Sequence, residues 1–411
     1  MANIKPFKAI RPVRDKVHLV ATRPYYSYKK NVLQAKLEDN PFTFLHIINP
    51  EFGSSVLTKP NSNERFQLVQ QKYVEFIDEK ILIQEENESL YIYRQTKDSQ
   101  AFTGVIAGAS IEEYQNNLIK RHEATLTSRE AIFTRYLDIV GLNAEPVLLT
   151  YKGNDDINDL LTQFTAVRPE YEFTTTDRIT HELWVLSPKD TMILKKAFEE
   201  INESYIADGH HRSASSVRLY EERLNSGQTL KENVGYFLGY FVEQSQLNIL
   251  EFNRLVKSLN GCSSAKFLST LEKIGKVTEF FTVEKPSAEH QIHFFLNKKW
   301  YKLLIDKSFI DSVHPVKSLD SDLLTELILK PLLGIDDLKT SDQIEFVPGN
   351  ESLEILENKV NSGDFEIAFV LFPVSIEQVK RVADNQMNMP PKSTWVEPKL
   401  RSGLTIYNIN E

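Results

Sequence analysis

Asp208, Gly209, His210, His211 and Arg212 stand consecutively between a short apolar run, Ser204-Tyr205-Ile206-Ala207, and a polar stretch, 213–225, that contains neither Pro nor Gly. The pattern predicts a buried strand, a loop and a helix. At such a junction the first-turn N–H groups have no intrahelical partner and the helix dipole turns its positive end to the loop, so an anion is favoured there. Gly209 allows close backbone approach, His210 and His211 add donors, and Arg212 carries a fork of donors suited to phosphate oxygens, with Ser213 following. Asp208 in this place suits a magnesium ligand, an orienter for a histidine, a base, or a plain helix N-cap. A capped turn with solvated histidines is the bland alternative for the whole run.

Two other clusters carry chemistry-bearing side chains. Lys120-Arg121-His122-Glu123-Ala124-Thr125 packs two cations, an imidazole, a carboxylate and a hydroxyl into six residues, which would clamp a second phosphate or form an exposed basic turn. Met389-Pro390-Pro391-Lys392-Ser393-Thr394-Trp395, followed by Pro398-Lys399-Leu400-Arg401-Ser402-Gly403, is stiffened by its prolines and returns to the site as an anion-binding loop in one reading and forms a basic C-terminal turn in the other. Arg94-Gln95 at a strand end is a weaker signal, and His181 and Trp184 on a strand suit a core better than catalysis.

The elements that must position these residues alternate. Strands are expected over 44–48, 90–95, 103–109, 146–151, 178–186 and 204–207, and helices over 64–79, 110–117, 157–165 and 190–202, with 236–243 and 247–252 as paired strands. Beyond about residue 256 come a helix over 264–274, strands near 279–283 and 292–296, a helix over 321–329 and a buried strand over 365–372. This gives a mixed α/β fold in layers, with an N-terminal lobe over 1–255 carrying the loop and a C-terminal α+β lobe over 256–411. A length of 411 residues is too much for one ordinary core.

Bulk properties exclude several classes. Lys plus Arg number 48 against 57 Asp plus Glu, which argues against general affinity for nucleic acid or an anionic membrane. Cys262 is the single cysteine, so an intrachain disulfide and a cysteine-based zinc cluster are ruled out, and the composition fits a cytoplasmic protein. No run approaches the roughly 20 apolar residues of a membrane span, and no signal-peptide core is present. Walker, dinucleotide, His-Glu-x-x-His and Gly-x-Ser-x-Gly patterns are all missing.

The assembled pieces resemble the family known as domain of unknown function 1015. The likeness runs over Pro24-Tyr25, Asn40-Pro41, His46, Pro50-Glu51, Tyr91-x-Tyr93-Arg94-Gln95, His122-Glu123-x-Thr125, His181-x-Leu183-Trp184, Ala207 to Arg212, Pro331-Leu332-Leu333-Gly334, Pro391 to Thr394 and Pro398-Lys399-x-x-Ser402-Gly403. The Asp-Gly-His-His-Arg loop is similar to the phosphate loop of the ParB/sulfiredoxin-like superfamily, which includes free-serine kinases. That second resemblance implies a ParB/sulfiredoxin-like phosphate loop within a larger multi-lobed chain. The loop lacks the cysteine of sulfiredoxin chemistry, and the chain lacks the basic recognition helix of a DNA clamp.

Small-molecule phosphoryl transfer is what the resemblance then implies, with free L-serine as acceptor, ATP, ADP or pyrophosphate as donor, and Mg2+. Asp208, His211 and Glu123 are the implied catalytic groups, with Asp208 also the implied magnesium ligand. Gly209, His210, Arg212, Ser213, Arg121, His122, Lys392, Ser393 and Thr394 would hold phosphate, and Arg94 and Tyr25 the substrate. Family members place an aspartate after the Pro-Tyr pair where this chain has Tyr26, so Glu51 or Glu123 becomes an alternative base. A non-catalytic nucleotide-binding regulator and a phosphatase-type hydrolase are the rival readings. Partners are expected to be small molecules, without nucleic acid or membrane, and a homodimer is allowed.

Overall fold

The computed structural model describes residues 2–55 and 57–411, and of Tyr26 the backbone only. Contacts divide the chain into two units, the first made of residues 1–120, 125–247 and 398–411 and the second of 121–124 and 248–397. Both are mixed α/β structures.

The first unit is built on a nine-stranded sheet. Its order is Ile119–Lys120, Ser204–Asp208, Val147–Tyr151, Tyr236–Glu243, Gln100–Ser110, Tyr91–Lys97, Ile179–Val185 and Tyr171–Thr174, with Ile4–Lys5 beside Gln100–Ser110. Only two neighbours run parallel, Ser204–Asp208 with Ile119–Lys120 and Tyr236–Glu243 with Val147–Tyr151. Alternation along the strands sends Ile92, Val105, Ala107, Leu149, Ile206 and Phe241 to one face. There they pack on Ile157 and Leu161 of helix Asp155–Phe164, Leu194 and Phe198 of helix Pro188–Phe198, and Val217 of helix His210–Asn225. The opposite face carries hydroxyl-bearing aromatics instead, and the hydroxyls of Tyr91 and Tyr240 reach backbone carbonyls. Tyr91 donates to the Phe7 carbonyl at 2.9 Å, and the Tyr240 hydroxyl lies 3.0 Å from the Tyr93 carbonyl.

Three expectations are corrected. The run 44–48 is not a strand: Leu45–Ile48 is a helical turn, started by the Asn40 side chain accepting from Phe42 N–H at 3.0 Å and the Thr43 carbonyl accepting from His46 N–H at 3.0 Å. A run of five apolar-rich residues lacks the length that separates strand from buried helix. Nor do 236–243 and 247–252 pair with each other. Tyr236–Glu243 already has a strand on each edge, while Asn248–Leu250 pairs with Trp395–Glu397 and Phe252–Val256 enters the sheet of the second unit.

The second unit has a six-stranded antiparallel sheet in the order Gly275–Phe280, Lys299–Ile305, Gln291–Leu296, Ile367–Val370, Phe252–Val256 and Ile344–Pro348. Helix Ser264–Leu271 covers one face through Phe267 and Leu271, and helix Leu353–Asn361 the other through Leu353 and Leu356. The segment expected as one helix over 321–329 is an α-helical turn, Asp320–Leu324, that widens into a π-helical one, Thr325–Leu329.

Candidate functional site

Strand Ser204–Asp208 is buried up to Ala207, and Asp208 emerges at its end with its side chain about one third exposed. Gly209 turns the chain with φ +105°, a conformation that a side chain resists. Its carbonyl then receives the N–H of Arg212 at 2.9 Å and of Ser213 at 3.1 Å, so the helix is under way by His210, three residues earlier than its polar sequence indicates. The serine hydroxyls that follow are committed to the helix itself. Ser213 donates to the His210 carbonyl at 3.0 Å and Ser216 to that of Arg212 at 3.0 Å, and Ser213 is fully buried.

Two cations converge on one oxygen of Asp208. Its Oδ2 accepts from Arg212 at 3.3 Å and from Lys399 Nζ at 3.4 Å, while Arg212 also donates to the Pro146 carbonyl. Ser402, three residues beyond Lys399, donates to Glu145 at 2.7 Å, so the segments around Glu145-Pro146 and Lys399 to Ser402 both border the loop. His211 has its Nε2 3.1 Å from the N–H of Leu126, which makes that nitrogen an acceptor. The lone pair proposed for base chemistry is therefore used on the backbone.

Arg401 sets where this segment lies. Its NH2 donates to both Asp177 oxygens at 2.9 Å and to Thr175 Oγ1 at 2.9 Å, and its Nε to His181 Nε2 at 3.2 Å. With Nε2 accepting, Nδ1 carries the proton of the neutral ring and donates to the Tyr93 hydroxyl at 2.7 Å. Burial, with the Arg401 charge behind it, lowers the His181 pKa to about 3. Asp177 is pushed up by its own burial, but Thr175 and Arg401 outweigh this and hold its carboxyl below the usual range.

Arg94 forms a two-point ion pair with Glu182 on the neighbouring strand, at 2.6 and 2.8 Å, and lies over the Trp184 ring at 4.8 Å, so its fork is engaged within the sheet. Tyr25 is half exposed in the 3-10 turn Tyr25–Ser27; the side chain of Tyr26 lies outside the described part of the structure. Glu51 accepts from Thr58 N–H at 2.7 Å and pairs with Arg65 at 2.9 Å. Arg121, His122 and Glu123 belong to the second unit, where the His122 carbonyl accepts from Met389 N–H at 2.8 Å. So do Lys392, Ser393 and Thr394: the Lys392 carbonyl takes a hydrogen bond from Arg254 at 3.2 Å, and the buried Ser393 hydroxyl lies 2.9 Å from that of Ser321. Of the Pro-bracketed C-terminal stretch, the half that adjoins Asp208 within the first unit is Pro398 to Gly403. Lys399 lies in the stretch that sequence reads as a returning anion-binding loop, but the individual residues singled out there are Lys392, Ser393 and Thr394; its signal is a cation lodged between Pro398 and the Ser402-Gly403 turn.

Among the described residues no three His, Cys, Asp or Glu side chains gather into a metal-binding group, and Asp208 Oδ2 already faces two cations. No helix among the described residues is long and apolar enough to cross a membrane.

A family model described as "Protein of unknown function (DUF1015)" matches residues 4–322. The comparison with curated proteins gives no match. Among solved structures, SbnI with C-terminal truncation from Staphylococcus aureus is 11% identical with a TM-score of 0.37, over 71% of this chain and 82% of its own. A free serine kinase in complex with AMP is 13% identical with a TM-score of 0.36, over 74% and 91%. A conserved hypothetical protein from Pyrococcus furiosus is 14% identical with a TM-score of 0.35, over 75% and 96%. Likeness at this level transfers neither an activity nor a site.

Proposed function

The chain belongs to the DUF1015 family, and within it we propose a small-molecule kinase that transfers a phosphoryl group from ATP, ADP or pyrophosphate to the hydroxyl of free L-serine. The observation that carries the reading is the junction at Gly209: a carboxylate at a strand end, a guanidinium on it at 3.3 Å, and the start of a 16-residue helix in the same few residues. The acceptor follows from the resemblance of the Asp-Gly-His-His-Arg loop to that of free-serine kinases.

In this reading the donor's phosphate oxygens take the backbone N–H groups at the helix start ahead of Arg212, whose own N–H is bonded to the Gly209 carbonyl, together with the Arg212 fork, which leaves Asp208 for the acceptor. Asp208 accepts the proton of the serine hydroxyl as the new O–P bond forms and the bond to the leaving phosphate breaks. Mg2+ enters as part of the donor, bound to its phosphates, and supplies charge neutralisation there. His210 and Gly209 shape the loop, and the second-unit residues Arg121, His122, Glu123, Lys392, Ser393 and Thr394 are assigned no step.

The test is direct. Purified protein with L-serine, Mg2+ and each of the three donors in turn is expected to give phosphoserine with at least one. Absence of product with every donor across several hydroxyl acceptors overturns the proposal. Release of free phosphate without acceptor would replace it with a hydrolase, and saturable nucleotide binding without turnover with a regulatory module.

A further inference from the structure

We infer that Lys399 is a phosphate-contacting residue of the same site, and that Arg401 is the positioning residue that holds it there; this rests on the kinase reading of the Asp208 loop. Lys399 lies 191 positions from Asp208 and beyond the residues matched by the family model, yet its Nζ reaches the same carboxylate oxygen as Arg212, at 3.4 Å against 3.3 Å. Arg212 and Lys399 thus share one carboxylate oxygen at the start of a helix, whose dipole favours an anion in the same place. A phosphate group, at about minus two and with three acceptor oxygens, offers both side chains a partner at once where one aspartate oxygen now serves both. The Lys399 side chain is 28% exposed, so a solute can reach it. An ion pair as exposed as this one contributes little to stability, so exchanging Asp208 for a donor phosphate costs the fold little.

The docking of the segment must then come from elsewhere, and the neighbouring residues supply it. Arg401 is 6% exposed and anchored at 2.9 Å on Asp177 and at 3.2 Å on His181, which is itself fully buried. The adjoining backbone is tied on two further sides, Ser402 N–H to the Thr22 carbonyl at 2.8 Å and Gly403 N–H to the Ala144 carbonyl at 3.2 Å. Lys399 is two residues from this anchor, which fixes its reach.

Binding of pyrophosphate and of MgATP, followed by calorimetry on the full chain, separates the possibilities. Lys399→Gln is expected to weaken pyrophosphate binding by about 10- to 100-fold, the span of a charge-assisted contact, with an unchanged melting temperature, and Lys399→Arg to restore it to within a few fold. Arg401→Gln, or Asp177→Asn if the first does not fold, is expected to weaken binding too. In combination with Lys399→Gln neither adds a further loss, because a residue acting through Lys399 has nothing left to position. Wild-type protein that binds neither ligand overturns the kinase reading and this inference together. Wild-type binding that Lys399→Gln leaves intact overturns the inference alone, and additive losses in the double variant remove Arg401 from it.

Discussion

The Nε–H of Arg401 is aimed at Nε2 of His181 across 3.2 Å, so that nitrogen of a fully buried imidazole carries no proton. A second proton on the ring would face the guanidinium head-on. The pair therefore joins the C-terminal segment to the central sheet only while His181 is neutral.

The pH dependence follows in sign. His181 titrates at about 3 in the folded chain, against 6.5 ordinarily. The unfolded chain therefore binds the extra proton between those values, and the contribution is complete above pH 6.5 and lost as pH falls toward 3. Asp177, with its carboxyl also held low, acts in the same direction. Going from pH 7 to pH 5 is expected to cost about 2 kcal/mol of stability. Urea midpoints at the two pH values measure it, and His181→Gln should flatten the difference; an equally steep variant would place the titrating group elsewhere.

Asp208→Asn is expected to separate chemistry from binding. Removing a general base costs on the order of 10²- to 10⁴-fold in turnover. Pyrophosphate affinity, in contrast, should hold or rise, because Arg212 and Lys399 lose the carboxylate that competes for them. Initial rates and calorimetry on the same preparation decide it. A variant that turns over normally, or that loses pyrophosphate, removes Asp208 from the role of base.

What the sequence displays of this arrangement is its local half. The strand-loop-helix junction is legible at Ser204 to Arg212 because burial, a glycine and a long run without breakers lie side by side there. Helix Asn63–Asp78 is legible through Phe66, Val69 and Tyr73 at helical spacing, and the structure adds Phe76 to its buried face. Pairings between distant segments leave no such trace. That Lys399 meets Asp208 depends on a pairing across 191 positions, and nothing in the composition of the Pro-bracketed stretch marks it. Arg94 looks available in sequence because Glu182, its partner, is set opposite by the strand register, 88 residues away.

Gly403 is a packing requirement as well as a turn. Its φ is +76°, and a Cβ there would sit 2.4 Å from a ring carbon of the buried Phe44. Gly403→Ala is expected to destabilise by about 2–4 kcal/mol, combining strain with overpacking. Gly227 is the control, with φ +72° and nothing within 4 Å, so Gly227→Ala should cost only the backbone strain, about 1 kcal/mol. Equal losses in denaturation midpoint would show that Phe44 gives way freely.

In the second unit, Asp320 is 7% exposed and its carboxyl is pushed up to about 7, chiefly by burial, with hydrogen bonds such as the 2.8 Å one from His290 N–H offsetting part of the effect. The sign here is opposite to that of His181. A carboxyl whose folded pKa lies above its ordinary 3.8 contributes fully below that value, and its contribution is lost as pH rises through 7. Asp320→Asn keeps the acceptor oxygen and removes the charge, so it should be near neutral at pH 4 and stabilising at pH 8. The ceiling is about 4 kcal/mol from a shift of roughly three pKa units. Arg254 reduces that gain. Its guanidinium is fully buried, burial lowers its pKa to about 9, and the Asp320 charge is what works against that lowering. Between a buried carboxylate that gains little from its surroundings and a buried guanidinium that still hydrogen-bonds two carbonyls, those of Phe252 and Lys392, the carboxylate is the costlier charge. Denaturation curves at pH 4 and 8 give the answer: a variant destabilised at pH 8 would mean that the Arg254 charge depends on Asp320 more than burial penalises Asp320 itself.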